Sequence, residues 1–89
     1  MVVGDYVLAT KWSDGDPLDP WAIGFLSNIT NGMFTIKDGN DKPITGGFRR
    51  IEKISKIRGR WLLQHTAIIE QSGRSVWYWS KCQMEELNG

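Results

Sequence analysis

The sequence has few of the residues that cross-link chains, span membranes or act as catalysts, and each shortage argues against a class of protein. Among the 89 residues there is one cysteine, Cys82, and one histidine, His65. A single cysteine forms no internal disulfide, which is typical of a reducing compartment. No apolar run approaches the roughly 20 residues that cross a bilayer, and the first residues lack the features of a signal peptide. We therefore expect a cytoplasmic protein without a membrane partner.

Catalytic and metal-binding patterns are equally scarce. The chain contains no Gly-x-Ser-x-Gly motif, no glycine-rich phosphate loop, and no set of His, Cys and carboxylates at metal-ligand spacing. The run Asp14-x-Asp16-x-x-Asp19 lacks the spacing and the terminal Glu of a calcium loop. A domain of 89 residues rarely encloses a water-excluding pocket. We expect a binding protein and not an enzyme, with no cofactor and no metal.

The net charge of +1 is distributed unevenly along the chain. Up to Gly46 there are six Asp and three Lys, whereas from Gly47 onward eight Lys and Arg accompany four Glu. A polarised surface of this kind steers charged partners and says nothing about the fold.

Short alternating apolar runs, each closed by Gly, Asp, Asn or Pro, are typical of a small, bent antiparallel sheet. The alternation places Tyr6, Leu8 and Thr10 on one face of the first strand. It places Trp21, Ile23 and Phe25 on one face of the second. Asn31-Gly32 predicts a two-residue hairpin turn. Pro43 favours an edge position for the fourth strand. The predicted strands cover residues 5–11, 21–29, 33–37, 43–45 and 48–54.

Beyond the strands the apolar period changes. Residues 55–73 predict one amphipathic helix near 57–72, with Ser55 as N-cap and Gly73 as the stop. Gly59 weakens the first turn, so the helix is expected to start nearer Arg60. The segment 75–82 is rich in aromatic and β-branched residues, which favours a strand; the alternative is a second short helix. The whole chain reads as a single domain.

Several motifs resemble one known family. Gly4-Asp5 before a hydrophobic strand, Trp12 next to Asp14-Gly15, Trp21-Ala22, and Lys37-Asp38-Gly39-Asn40 resemble the Tudor group of SH3-like barrels. The resemblance covers residues 4–54 and implies a mainly β fold, a five-stranded antiparallel barrel. Members of this group bind peptides, often through an aromatic cage around a methylated Lys or Arg. The chain is also similar to short open reading frames of phages and prophages, which implies a host protein as partner.

The resemblance directs attention to a first candidate site. Trp12 and Trp21 fall where two cage aromatics would lie, and Asp38 stands where another ring is expected. Together with Asp14, Asp16 and Asp19 the two rings would form a groove for a cationic peptide group, unless they only close the barrel against each other. Our leading hypothesis is a small protein-interaction module that uses this groove.

Two other surfaces give alternative functions. A basic segment with a neighbouring ring would bind nucleic acid by charge and stacking, although the pI of about 7.9 is low for a dedicated nucleic-acid domain. Its residues are Arg49, Arg50, Lys53, Lys56, Arg58, Arg60 and Trp61. Alternatively, Trp77 and Trp79 would support self-association of a structural subunit if exposed, or would pack into the core.

Overall fold

The strands form one antiparallel sheet in the order β4-β3-β2-β1-β5. The computed structural model describes residues 1–11, 20–37 and 43–88, with side chains up to residue 82. The elements are β1 (Tyr6–Thr10), β2 (Trp21–Thr30), β3 (Met33–Lys37), β4 (Pro43–Gly46), β5 (Arg50–Lys53), α1 (Lys56–Gln64), α2 (Thr66–Gln71) and α3 (Val76–Asn88). The prediction of a mainly β protein with five antiparallel strands is confirmed.

Both faces of β1 and of the first half of β2 are largely buried, because each face packs against a different part of the chain. Leu8 and Ile23 point to the face that the helices cover, where they join Leu62 and Trp77 in one core cluster. The opposite face carries a second cluster, to which β1, β2 and β3 contribute Val7, Ala9, Ala22, Leu26 and Ile36. The predicted alternation of faces along β1 and β2 is confirmed.

The hairpin between β2 and β3 turns at the predicted residues. Asn31 and Gly32 have φ values of 51° and 77°, as a two-residue turn of the type favoured in hairpins requires. The register then shifts between Leu26 and Asn28. This bulge places Ile36 opposite Leu26 and Lys37 opposite Phe25, so the isoleucine faces the second cluster and the lysine does not.

The predicted closed barrel is not confirmed. Phe34, Ile44, Phe48 and Ile51, from β3 to β5 and the segment between β4 and β5, pack against the second cluster. The sheet therefore curls around this cluster. Among the described strands, however, β4 and β5 are the two edges and do not pair with each other.

The segment predicted as one helix near 57–72 forms two helices, α1 and α2. The first begins before Arg60, where the sequence placed its start. The Ser55 hydroxyl accepts a hydrogen bond from the backbone N–H of Arg58 at 3.1 Å, which confirms the N-cap, and α1 begins at Lys56. The helix ends at His65, whose φ and ψ are −112° and 22°. There the imidazole Nδ1 lies 2.8 Å from the carbonyl oxygen of Trp61, and α2 begins afresh at Thr66.

The predicted aromatic strand at 75–82 is wrong, since residues 76–82 belong to α3, and the alternative of a further helix in this segment is confirmed. The Ser75 hydroxyl accepts a hydrogen bond from the N–H of Tyr78 at 3.2 Å, as an N-cap does. Val76, Trp77 and Ser80 are buried, at helical and not alternating spacing. Tertiary packing thus overrides the weak β preference of aromatic residues.

We predict opposite effects for two serines of this segment. Ser80 is fully buried and its hydroxyl has no hydrogen-bond partner in the described part of the chain. Ser80→Ala should raise the free energy of unfolding by about 1 kcal/mol, because an unsatisfied buried group is removed and alanine is the better helix former. Ser75→Ala should lower it by about 1 kcal/mol through loss of the cap. Urea denaturation measures the free energy of unfolding of both variants. Destabilisation by Ser80→Ala would contradict the conclusion that the Ser80 hydroxyl is buried without a hydrogen-bond partner.

Candidate anion-binding cleft

A cleft of about 260 Å³ lies between the sheet and α1. The sheet contributes Tyr6, Ile23, Gly24, Phe25 and Lys37, and the helix contributes Lys56, Arg60 and Leu63. Of the described residues that line it, three are cationic and none is a carboxylate. The cleft therefore combines positive charge with apolar and aromatic walls.

Cross-strand pairing builds the sheet side of the cleft. Phe25 pairs with Tyr6 of β1 on one side and with Lys37 of β3 on the other, so the three side chains form a row across the sheet. The rings of Tyr6 and Phe25 are 5.0 Å apart and tilted by 58°, a favourable arrangement for two aromatic rings. Lys37 joins this row only because of the bulge in β2, since an unshifted register would pair it with Leu26.

Helical spacing builds the other side. Lys56, Arg60 and Leu63 stand at positions i, i+4 and i+7 of α1, which share one stripe of a helix. The Lys56 ammonium lies 5.2 Å from the centre of the Phe25 ring, within the range of a cation–π contact. The helix thus holds two cations and one apolar side chain opposite the aromatic row.

Gly59 determines how closely the helix approaches the sheet. A Cβ atom at this position would lie 2.5 Å from both Cε1 and the hydroxyl oxygen of Tyr6, closer than two such atoms can come. Gly59 is buried, and the Tyr6 ring occupies the space that a larger residue would need. A glycine that weakens the helix locally therefore sets the width of the cleft.

The electrostatics of the cleft favour an anion. Burial raises the pKa of the Tyr6 hydroxyl, while the nearby charge of Arg60 lowers it to a smaller extent. The hydroxyl therefore stays protonated at neutral pH and remains a hydrogen-bond donor. With a neutral phenol and three cations, the described lining offers donors and positive charge to a ligand.

The predicted basic segment does not form one surface. Lys56 and Arg60 line the cleft, whereas Arg50 stacks over the Trp77 ring at 3.9 Å and pairs with Glu52 at 3.0 Å. Lys53 lies 3.7 Å from Asp5. Arg49 is exposed on the chain leading into β5. Carboxylates and rings therefore already engage part of the charge that the sequence suggested for nucleic acid.

Arg58 lies on another side of α1 from the cleft. Burial lowers the pKa of its guanidinium, and Glu52 opposes this effect. Its Nε atom is buried without a hydrogen-bond partner in the residues that the structure covers. Arg58 is therefore a partly buried residue near Glu52 and is not part of the cleft lining.

The tryptophans predicted for stacking or self-association largely contact one another and the core. Trp61 stacks on His65 at 4.1 Å and on Trp79 at 5.9 Å. Trp77 is only 4% exposed, and its indole N–H donates to the buried Thr10 hydroxyl at 3.4 Å. Trp77 therefore has no exposed ring to offer a second copy, and Trp79 is half-buried with its N–H bonded to Ser72.

Most of the predicted partner groove falls outside the described residues. This applies to Trp12, Asp14, Asp16 and Asp19, and also to Asp38. Trp21 is half-buried and packs against the helix-covered cluster. The groove stays a prediction.

Sequence reasoning missed Tyr6, Phe25, Lys37 and Leu63 as site residues. The alternation along β1 and β2 predicted which face of each strand carries Tyr6 and Phe25. It did not predict which side of the helix would lie opposite these two rings. The hairpin turn alone would have paired Lys37 with Leu26. The signal available in the sequence was the helical spacing of Lys56, Arg60 and Leu63 at positions i, i+4 and i+7.

Comparisons with protein-family models, with curated proteins and with solved structures found no match to this chain. Within the described residues, no group of three or more His, Cys, Asp or Glu side chains is placed to hold a metal ion. None of the helices in the part of the chain covered by the structure has the length and apolar character needed to cross a membrane.

We predict that Gly59→Ala lowers the free energy of unfolding by about 1 kcal/mol, because overpacking against Tyr6 exceeds the gain in helix propensity. In a Tyr6→Leu background, which lacks the clashing atoms, the same substitution should stabilise the protein by up to about 1 kcal/mol. A double-mutant cycle by thermal unfolding measures the coupling. Equal effects in both backgrounds would refute the contact.

We also predict that Lys56→Glu stabilises the fold by about 0.5–1 kcal/mol, because the first turn of α1 has no acidic residue and a negative charge there suits the helix dipole. The substitution further replaces a like-charge pair with Arg60 by an attractive i,i+4 pair, which outweighs loss of the exposed contact with Phe25. Lys56→Gln should give about half the gain. Denaturation at low and high salt tests both, and a loss of stability would contradict the argument.

Proposed function

We propose that this chain is a small non-enzymatic interaction module that binds an anionic segment of a partner protein through the cationic cleft. The observation that carries the proposal is the convergence of Lys37, Lys56 and Arg60 on one concavity whose described lining has no carboxylate. Uncompensated like charges in a concave site raise the local concentration of anions and speed their association.

The unfavourable effect of Lys56 on the stability of α1 supports the same conclusion. Its charge is unfavourable at the start of α1 and beside Arg60. A residue that weakens its own helix fits a site where function, and not folding, requires the charge.

A protein partner is favoured over nucleic acid by the distribution of charge. Affinity for nucleic acid grows with the number of phosphates that are neutralised, which needs an extended basic surface. Here the net charge is +1, and Glu52 and Asp5 lie against Arg50 and Lys53. A localised cleft suits one or two carboxylates better than a polyphosphate chain.

Two further elements of the sequence-based hypothesis belong to this proposal. The first is that the curled sheet is a variant of the Tudor-like, SH3-like fold, supported by residues near both sheet edges that pack on one cluster. The second is a cytoplasmic, phage-encoded module acting on a host protein. Recognition of a methylated Lys or Arg is not part of the proposal for the cleft, because its positive charge would repel such a ligand.

Fluorescence anisotropy with a labelled oligoglutamate peptide tests the function, with single-stranded DNA of equal length as the competing ligand. Lys56→Glu combined with Arg60→Glu should weaken peptide binding at least about tenfold, since each substitution removes a favourable charge pair between the protein and the peptide. Arg74→Glu combined with Lys81→Glu changes the net charge equally but lies outside the cleft, and should leave binding nearly unchanged.

The outcome separates the candidate partners. Equal loss in both double variants would show that only net charge matters, and would reject the cleft as the site. Tighter binding of DNA than of peptide, weakened by Arg49→Glu, would assign the nucleic-acid function instead. Circular dichroism and thermal unfolding of each variant check that the fold is retained.

A further inference from the structure

Two exposed apolar side chains line the cleft in which the cations converge. Phe25 and Leu63 are 43% and 45% exposed, and both line the cleft. A single exposed apolar residue is ordinary on a protein surface. Two that line the same concavity from the sheet and from the helix, with Lys56 over the Phe25 ring, leave apolar area that a ligand can cover.

The floor between them is also apolar. Ile23 is 2% exposed, belongs to the helix-covered cluster and lines the cleft next to Gly24. The volume of about 260 Å³ exceeds the roughly 150 Å³ of an engineered cavity that accepts benzene. One ring or branched aliphatic side chain therefore fits with room for part of its backbone.

The charges are arranged on both sides of this apolar centre. Lys37 belongs to the sheet, whereas Lys56 and Arg60 belong to α1. A ligand whose apolar group lies between Phe25 and Leu63 therefore has cations on either flank. An anionic group alone would meet the cations and leave the apolar walls in water.

We infer that the ligand is an acidic peptide segment with one large apolar residue between carboxylates, the apolar side chain entering the cleft and the carboxylates pairing with Lys37 on one side and with Lys56 and Arg60 on the other. This inference rests on the proposed function and specifies its ligand. It makes Leu63 a specificity residue, which contacts the apolar anchor without carrying charge.

Two peptides of equal length and charge test the inference. One has the sequence Glu-Glu-Leu-Glu-Glu, and the other has Gly in place of Leu. Burial of a leucine side chain predicts that the first binds at least about tenfold more tightly to the intact chain. The preference should shrink to less than about threefold in Leu63→Gln, because the apolar wall is replaced by a polar one.

Ile68→Gln is the matched control, since Ile68 is 51% exposed on α2 and does not line the cleft. This variant should keep the full preference. Lys37→Glu should weaken both peptides by a similar factor, because it removes charge and not apolar area.

The results distinguish failure of the apolar anchor from failure of the proposed function. If both peptides bind equally well to the intact chain, and binding needs Lys56 and Arg60, the apolar anchor is rejected and the proposed function stands. If neither peptide binds, both fall. If Leu63→Gln keeps the full preference, the anchor lies elsewhere and the inference is overturned.

Discussion

The middle of the sheet is buried on both of its faces, and this burial dictates where the edge strands and the helices lie. Val7, Ala9, Leu8 and Ile23 are all less than 3% exposed, so neither face of β1 and β2 can be left in water. One face is covered by curling the sheet on itself, and the other by the helices. Apolar burial of this extent is the dominant favourable term for so small a domain.

The cleft forms because the helices cover one face of the sheet. Trp77 enters the helix-covered cluster, donates to Thr10 and lies under Arg50, which fixes α3 on the sheet. α1 packs between α3 and the strands, and Gly59 lets it approach Tyr6. The stripe of Lys56, Arg60 and Leu63 is then held opposite Phe25. Side chains that are distant along the chain therefore line one cleft, because packing in the core determines where α1 lies.

Much of the β architecture could be predicted from local patterns, because alternation and turn residues act over a few positions. The faces of β1 and β2, the Asn31-Gly32 turn and the Ser55 cap are of this kind. The bulge near Ser27 could not be predicted, since its benefit is to keep Lys37 out of the second cluster, which forms only in the assembled sheet. The aromatic run at 77–79 gave a wrong prediction for the same reason, because Trp77 is stabilised by contacts with residues that are more than sixty positions away, such as Thr10.

Composition, turn residues and short-range periodicity were enough to predict a small, mainly β domain with an uneven charge distribution, because these properties depend on no distant contact. They could not predict which cations are paired and which are gathered in one place, since this depends on the assembled fold. The assembled fold separated Arg50 and Lys53 from Lys56 and Arg60, although all four lie within a short segment. The reason is that a strand and a helix project neighbouring residues in different directions, and long-range packing orients each of them.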